Sequence, residues 1–265
     1  MIDPYLEAEY NNRLKVPGHP AIVAGWARDA AAFRAVPRRA EPDLAYGPSP
    51  RQVMDVFWPG VARAGPVALF IHGGYWQGLD KSFFSQLAGG LLGHGTAVAV
   101  VSYDLCPQVT LATIVEQLRT AARFLHARYG RLDLACGHSA GGHLAATLLA
   151  DGLVQAALPI SGIFDLAPLI PTTINAALGL SATTARELSP LFRPAPAGRL
   201  HAVVGGLEGE AFIGQTRAIA AAWGGQWEKL MGHDHFTIPG ELSDPDSRLV
   251  AIAAGLLRDA GCSIF

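Results

Sequence analysis

The sequence predicts a doubly wound α/β fold: a mostly parallel sheet buried between two layers of helices. Three observations carry that reading. Short, continuously apolar runs recur along the chain, too short for helices and lacking the alternation of a half-exposed strand, as expected where a sheet is covered on both faces. Segments with an apolar stripe at 3.6-residue spacing fall between these runs, the pattern of helices packed on such a sheet. The composition fits, with 50% hydrophobic and 16% charged residues over 265 positions, too apolar for a disordered chain and long enough for one large domain.

In chain order, residues 1–40 hold one expected helix, residues 20–33, before the sheet begins. Residues 52–58 read as an early antiparallel edge strand, ended by Pro59-Gly60. Residues 67–71 (VALFI) make the first buried parallel strand and run into His72-Gly73-Gly74. A second strand is expected over 96–103, followed by a helix over 110–129 with Thr110 as N-cap and Gly130 past its end. A strand at 132–136 precedes a helix at 141–151 that is apolar all round. Strands at 157–160, 201–204 and 226–231 alternate with helices at 212–223 and 246–260. Residues 163–199 break the alternation. They carry five prolines and weak periodicity, and their place between two strands predicts a cap above the strand ends. The whole chain reads as a single domain.

Charge and cysteine usage narrow the function. Twenty basic and 22 acidic residues leave a net charge of −2, with no basic excess to grip a phosphate backbone, so no nucleic-acid partner is expected. Cys106, Cys136 and Cys262 are an odd set without ligand spacing, which predicts neither a disulfide framework nor a zinc site. The first residues, MIDPYLEAEY, are acidic and lack an apolar leader core. No apolar run approaches the roughly 20 residues needed to span a bilayer. The expectation is a soluble, cytoplasmic protein with no membrane association. A mean hydropathy of +0.26 is compatible with a homodimer.

The chemistry concentrates at Gly137-His138-Ser139-Ala140-Gly141, a G-x-S-x-G element between a buried strand and an apolar helix. A serine on a tight strand-to-helix turn is crowded by the residues two before and two after it, so both must be small. The turn exposes Ser139 at the top of the sheet and aims the next helix's N-terminus at it, where negative charge is favoured. A tetrahedral intermediate also needs backbone N–H donors for its oxyanion. Ala140, the residue after the serine, supplies one. The Gly-rich loop His72-Gly73-Gly74-Tyr75 supplies the others, with Gly74 and Tyr75 as donors and His72 as a prop for the loop.

A serine hydroxyl needs a base to take its proton. The expected chain order is Ser, acid, His. Glu208 lies just past the strand at 201–204, with Glu210 and Asp165 as rivals for the acid. Residues 231–236 (MGHDHF) offer His235 as base, with His233 as the fallback. Tyr75, Trp76 and Phe236 are candidates for an aromatic substrate wall, and core packing is the competing role for Trp76. The HDH pair invites a metal reading, but no third ligand cluster accompanies it, so neither a metal nor any other cofactor is expected.

Together HGGYW, GHSAGG, SYDLCP, SGIFDL, ELSP and the late DHF resemble the α/β-hydrolase-fold arylformamidases, or kynurenine formamidases, within the hormone-sensitive-lipase-like esterase group. YNNRLKVPGHP near the N-terminus is also similar to bacterial members, so the resemblance runs from about Tyr10 to Phe236. It implies Ser139 as nucleophile, Glu208 as acid and His235 as base, with oxyanion donors in residues 72–76 and at Ala140. Animal members carry Asp where this chain has Glu208. The implied activity is cleavage of a small acyl group from an aryl amine. N-formyl-kynurenine is the leading substrate, and small-acyl esters are the alternative.

Overall fold

The computed structural model describes residues 1–36, 38–60 and 65–261. Among these residues eight strands form one sheet: β1 (Ala40–Ala45), β2 (Val53–Phe57), β3 (Val67–Ile71), β4 (Ala97–Val101), β5 (Leu134–His138), β6 (Ala156–Ile160), β7 (Arg199–Gly205) and β8 (Gln226–Leu230). Their order is β1-β2-β4-β3-β5-β6-β7-β8. β2 runs antiparallel to both β1 and β4, and every other pair is parallel. This is the α/β-hydrolase arrangement that the motifs imply.

Among the described residues ten α-helices accompany the sheet: α1 (Pro4–Tyr10), α2 (Asn12–Lys15), α3 (His19–Ala35), α4 (Gly89–Gly93), α5 (Leu111–Tyr129), α6 (Ala140–Ala150), α7 (Asn175–Leu178), α8 (Ala182–Leu188), α9 (Glu210–Trp223) and α10 (Arg248–Gly261). The strands read as unbroken apolar runs because alternate side chains enter different cores. Leu69 and Ile71 pack with residues of α5, α6 and α9, while Ala68 and Phe70 pack with residues of α3, α4 and α10. α5 starts and stops as expected, with Thr110 Oγ1 accepting from Thr113 N and Gly130 left-handed at φ 76°. α6 is buried over nearly its whole length, which is why it shows no polar face.

Three expectations need correction. The strand at 52–58 is not the sheet edge; β1 lies outside it. β1 (AEPDLA) has no apolar alternation, because an edge strand with charges and a proline is shaped to avoid further pairing. Residues 1–40 hold three helices rather than one, since α1 and α2 are too short to show a period. The expected strand at 132–136 sits two residues later, so Ser139 follows directly on β5.

Residues 163–199 fold into short turns and the helices α7 and α8, anchored by Phe164, Leu166, Leu169 and Leu178 in the α5/α6/α9 core. Among the described residues no helix is long and apolar enough to cross a membrane.

Candidate active site

Ser139 sits on the turn between β5 and α6 with φ 55° and ψ −118°, a conformation L-residues avoid. The surrounding glycines permit it. A Cβ at Gly137 would lie 2.1 Å from the Gly141 carbonyl oxygen, and one at Gly141 would lie 2.0 Å from that of Ile71. The obstacles are backbone atoms that cannot swing aside, so the motif's small residues follow from sterics.

His235, on the loop after β8, presents Nε2 to Ser139 Oγ at 3.0 Å. Its Nδ1 lies 2.6 Å from Glu208 Oε2. The imidazole therefore carries its proton on Nδ1, where it donates to the carboxylate, and turns the Nε2 lone pair to the serine hydroxyl. Glu208 stands on the loop after β7, its side chain 1% exposed. Its other oxygen, Oε1, accepts from Gly205 N at 2.8 Å and from the Ser161 hydroxyl. Asp234 shapes the histidine loop by accepting from the amides of Phe236 and Thr237 through Oδ1.

The rivals lie elsewhere. His233 turns to Glu241, 3.5 Å away. Glu210 is exposed at the start of α9, and Asp165 Oδ1 accepts from the amide of Ala167.

His138, the variable residue of the serine turn, donates from Nε2 to the His235 carbonyl at 2.8 Å and so ties the His235 loop to the Ser139 turn. Burial holds its imidazole far below the ordinary value, and His235 adds to the effect, so His138 stays neutral. His72 props the glycine loop: its Nδ1 lies 2.7 Å from the Gly73 carbonyl oxygen, and its ring is stacked on Tyr103. Burial pushes His72 down to about 4, so it is neutral too.

The loop turns over the serine through three left-handed residues, Gly74 (φ 105°), Tyr75 (φ 55°) and Trp76 (φ 58°). It comes so near that a Cβ on Gly73 would stand 3.0 Å from that of Ser139. The amides of Gly74, Tyr75 and Ala140 have no acceptor among the described residues. The Tyr75 phenol donates to the Tyr10 carbonyl and accepts from Asn12 N at 3.2 Å, tying the glycine loop to α1 and α2. Burial raises this phenol to about 12, against the opposing charge of Arg13.

A cavity of about 420 Å³ opens at Ser139. Tyr75 and Phe236 line it, as expected of the aromatic wall. Trp76 does not. It is fully buried and packs edge-to-face on His143 of α6, 5.2 Å between ring centroids, so core packing is its role. The cap expectation changes likewise. No residue of 163–199 lines the cavity; its far wall comes from α2 and α3, including Arg13, His19, Val23 and Trp26. Trp26 stacks on Phe236 at 6.1 Å. Those N-terminal residues, His138 and Ser161 went unassigned in the sequence. For Ser161 a signal existed, its place one residue past the carboxyl end of β6, where α/β sheets gather functional groups.

Among the described residues no three His, Cys, Asp or Glu side chains gather as metal ligands. Cys106 and Cys136 are buried thiols whose burial raises their pKa, Cys106 to about 11, so neither is a thiolate. Cys262 lies outside the described residues.

A family model described as BD-FAE matches residues 54–157. The Drosophila melanogaster kynurenine formamidase is 30% identical over 238 residues, which cover 77% of each chain. The chain belongs to the kynurenine formamidase family. The Danio rerio kynurenine formamidase is 33% identical over 159 residues, 56% of this chain and 54% of that relative, so the chain spans about half the length of the fish member it matches. Among solved structures, a Silicibacter protein provisionally described as a thioesterase superposes with TM-score 0.85 at 34% identity, covering 93% of this chain and 98% of that one. An esterase from Pyrobaculum calidifontis shares the fold, with TM-score 0.73 at 17% identity and 98% and 99% coverage.

Proposed function

We propose that this kynurenine formamidase family member is a serine hydrolase that removes a formyl or other small acyl group from an aryl amine, with N-formyl-kynurenine as the leading substrate. The observation that carries the reading is the continuous hydrogen-bonded line Ser139–His235–Glu208 at the floor of an apolar, aromatic-walled cavity.

Ser139 Oγ attacks the formyl carbon while His235 Nε2 takes its proton. Glu208 holds the imidazole in the required tautomer and stabilises the imidazolium that forms. The amides of Ala140, Gly74 and Tyr75 receive the oxyanion, aided by the N-terminus of α6. The carbon–nitrogen bond then breaks, and the aryl amine leaves with the proton from His235. Water attacks the formyl-enzyme, giving its proton to the same base, and formate is released as Ser139 recovers its hydrogen. This route draws on protein groups and water alone.

Tyr75, Trp26 and Phe236 give the cavity an aromatic lining, which supports an aryl rather than an alkyl leaving group. Turnover of N-formyl-kynurenine and of p-nitrophenyl acetate, measured under matched conditions, tests the reading. Ester cleavage without formamide cleavage would replace it with the small-ester reading. A fluorophosphonate probe should form its adduct on Ser139, and a folded protein that takes no adduct would remove the hydrolase reading altogether.

A further inference from the structure

The cavity at Ser139 is charged on one side only. Arg13 is the one permanently charged residue on its wall, and no Asp or Glu lines it among the described residues. Of the histidines on the wall, His235 faces Glu208, His138 is held neutral by burial, and His19 Nδ1 lies against the Val16 carbonyl. The neighbouring cation, Lys15, is engaged by Glu9 at 2.5 Å. Arg13, by contrast, has no hydrogen-bond or ion-pair partner among the described residues.

Its backbone is fixed where it matters. Arg13 follows Asn12, whose amide donates to the Tyr75 hydroxyl, so α2 is tied to the same loop that carries the expected oxyanion donors. Arg13 is exposed and lines the cavity, so its guanidinium is open both to solvent and to a molecule entering the cavity. An unpartnered guanidinium fork beside an aromatic-walled cavity matches a planar anion held by two parallel N–H bonds.

We infer that Arg13 recognises a carboxylate on the aryl, leaving part of the substrate, so that the cavity selects anionic aryl amides and esters over neutral ones of the same shape. The inference rests on the hydrolase reading and deepens it, since the amino-acid arm of N-formyl-kynurenine ends in such a group. Ser139 engages the acyl carbon at the cavity floor while Arg13 holds the far end of the leaving group at the wall. Arg13 is thus a specificity residue and takes no part in proton transfer.

The test uses two matched pairs that differ only in charge: 4-acetoxybenzoate against 4-acetoxybenzamide, and 4-formamidobenzoate against 4-formamidobenzamide. kcat/KM is measured for the wild type, Arg13→Gln and Arg13→Lys. The wild type should prefer the benzoate of each pair. Arg13→Gln should lower that preference about tenfold or more, chiefly through KM of the anion, and Arg13→Lys should restore part of it. Raising the salt concentration should weaken the wild-type preference, as screening of a partly exposed charge requires. A benzoate-to-benzamide ratio equal in wild type and Arg13→Gln overturns the role of Arg13 and leaves the hydrolase reading standing. No turnover of any of the four compounds, with no fluorophosphonate adduct on Ser139, overturns the hydrolase reading itself.

Discussion

The Ser161 hydroxyl donates to Oε1 of Glu208, across 47 residues of sequence, and with Gly205 N it fixes the carboxylate whose other oxygen faces His235. Ser161 itself has φ 50°, and its amide donates to Val203 at 2.7 Å, so the hydroxyl is held in place by the end of the sheet. Ser161→Ala should lower kcat about 10- to 100-fold, as loss of one hydrogen bond to a buried charged group implies, with little change in KM. Glu208→Gln should cost about a thousandfold or more, because the amide no longer enforces the imidazole tautomer. Steady-state kinetics on one chromogenic ester measures both, and a kcat for Ser161→Ala equal to wild type would show that Gly205 alone suffices.

Ser139 and His235 are proposed to work as a unit. Each alanine variant should reduce kcat by about three to six orders of magnitude, and the double variant should be no worse than the poorer single one. Losses that multiply in the double variant would mean two independent contributions and a different mechanism.

Two glycines, Gly141 in the serine turn and Gly214 in α9, predict opposite outcomes on substitution. Gly141→Ala drives a Cβ to 2.0 Å from the Ile71 carbonyl oxygen, deep in the sheet, and should destabilise the fold by at least about 3 kcal/mol. Gly214, inside α9, has open space where a Cβ would go, so Gly214→Ala should stabilise by about 1 kcal/mol. Urea denaturation compares the two. A stable, fully folded Gly141→Ala variant would contradict the geometry of the turn.

Acid should unfold the protein through its buried histidines. Burial pushes His72 and His143 down to about 4 from the ordinary 6.5, and His72 Nε2 and His143 Nδ1 have no partner to receive a new proton's hydrogen bond. The unfolded chain therefore binds protons that the folded chain refuses. Stability is complete above about pH 6.5, declines as the pH falls toward about 4, and levels off below that. Each histidine contributes on the order of 3 kcal/mol to the decline. Urea unfolding followed from pH 7.5 to 4.5 measures this slope, and a flat profile would show that these imidazoles become protonated inside the fold.

Sequence carried further for some elements than for others. The strands β3 to β7 and the helices α5, α6 and α9 were legible because burial on a two-sided sheet writes itself as apolar runs and 3.6-residue stripes. β1, α1 and α2 were not, because an edge strand and one-turn helices carry no such period. The serine turn was legible for a local reason: its glycines meet backbone only two to four positions away along the turn, plus one neighbouring strand. The wall of the cavity was not local at all. Tyr75 faces it and Trp76 turns away to α6, a choice made by successive left-handed φ angles that residue identity alone does not specify.

The amino-acid order alone therefore determined the sheet, the strained serine and the chain order in which an acid and a base follow it. Those features arise from hydrophobic burial and from short-range sterics, both of which leave periodic or positional marks. Folding in three dimensions decided which histidine meets Ser139 and which glutamate meets that histidine, that Ser161 steadies Glu208, and that the N-terminal helices rather than residues 163–199 wall the cavity. Each of those outcomes depends on distances between groups far apart along the chain, and such distances exist only once the sheet has brought the strand ends together.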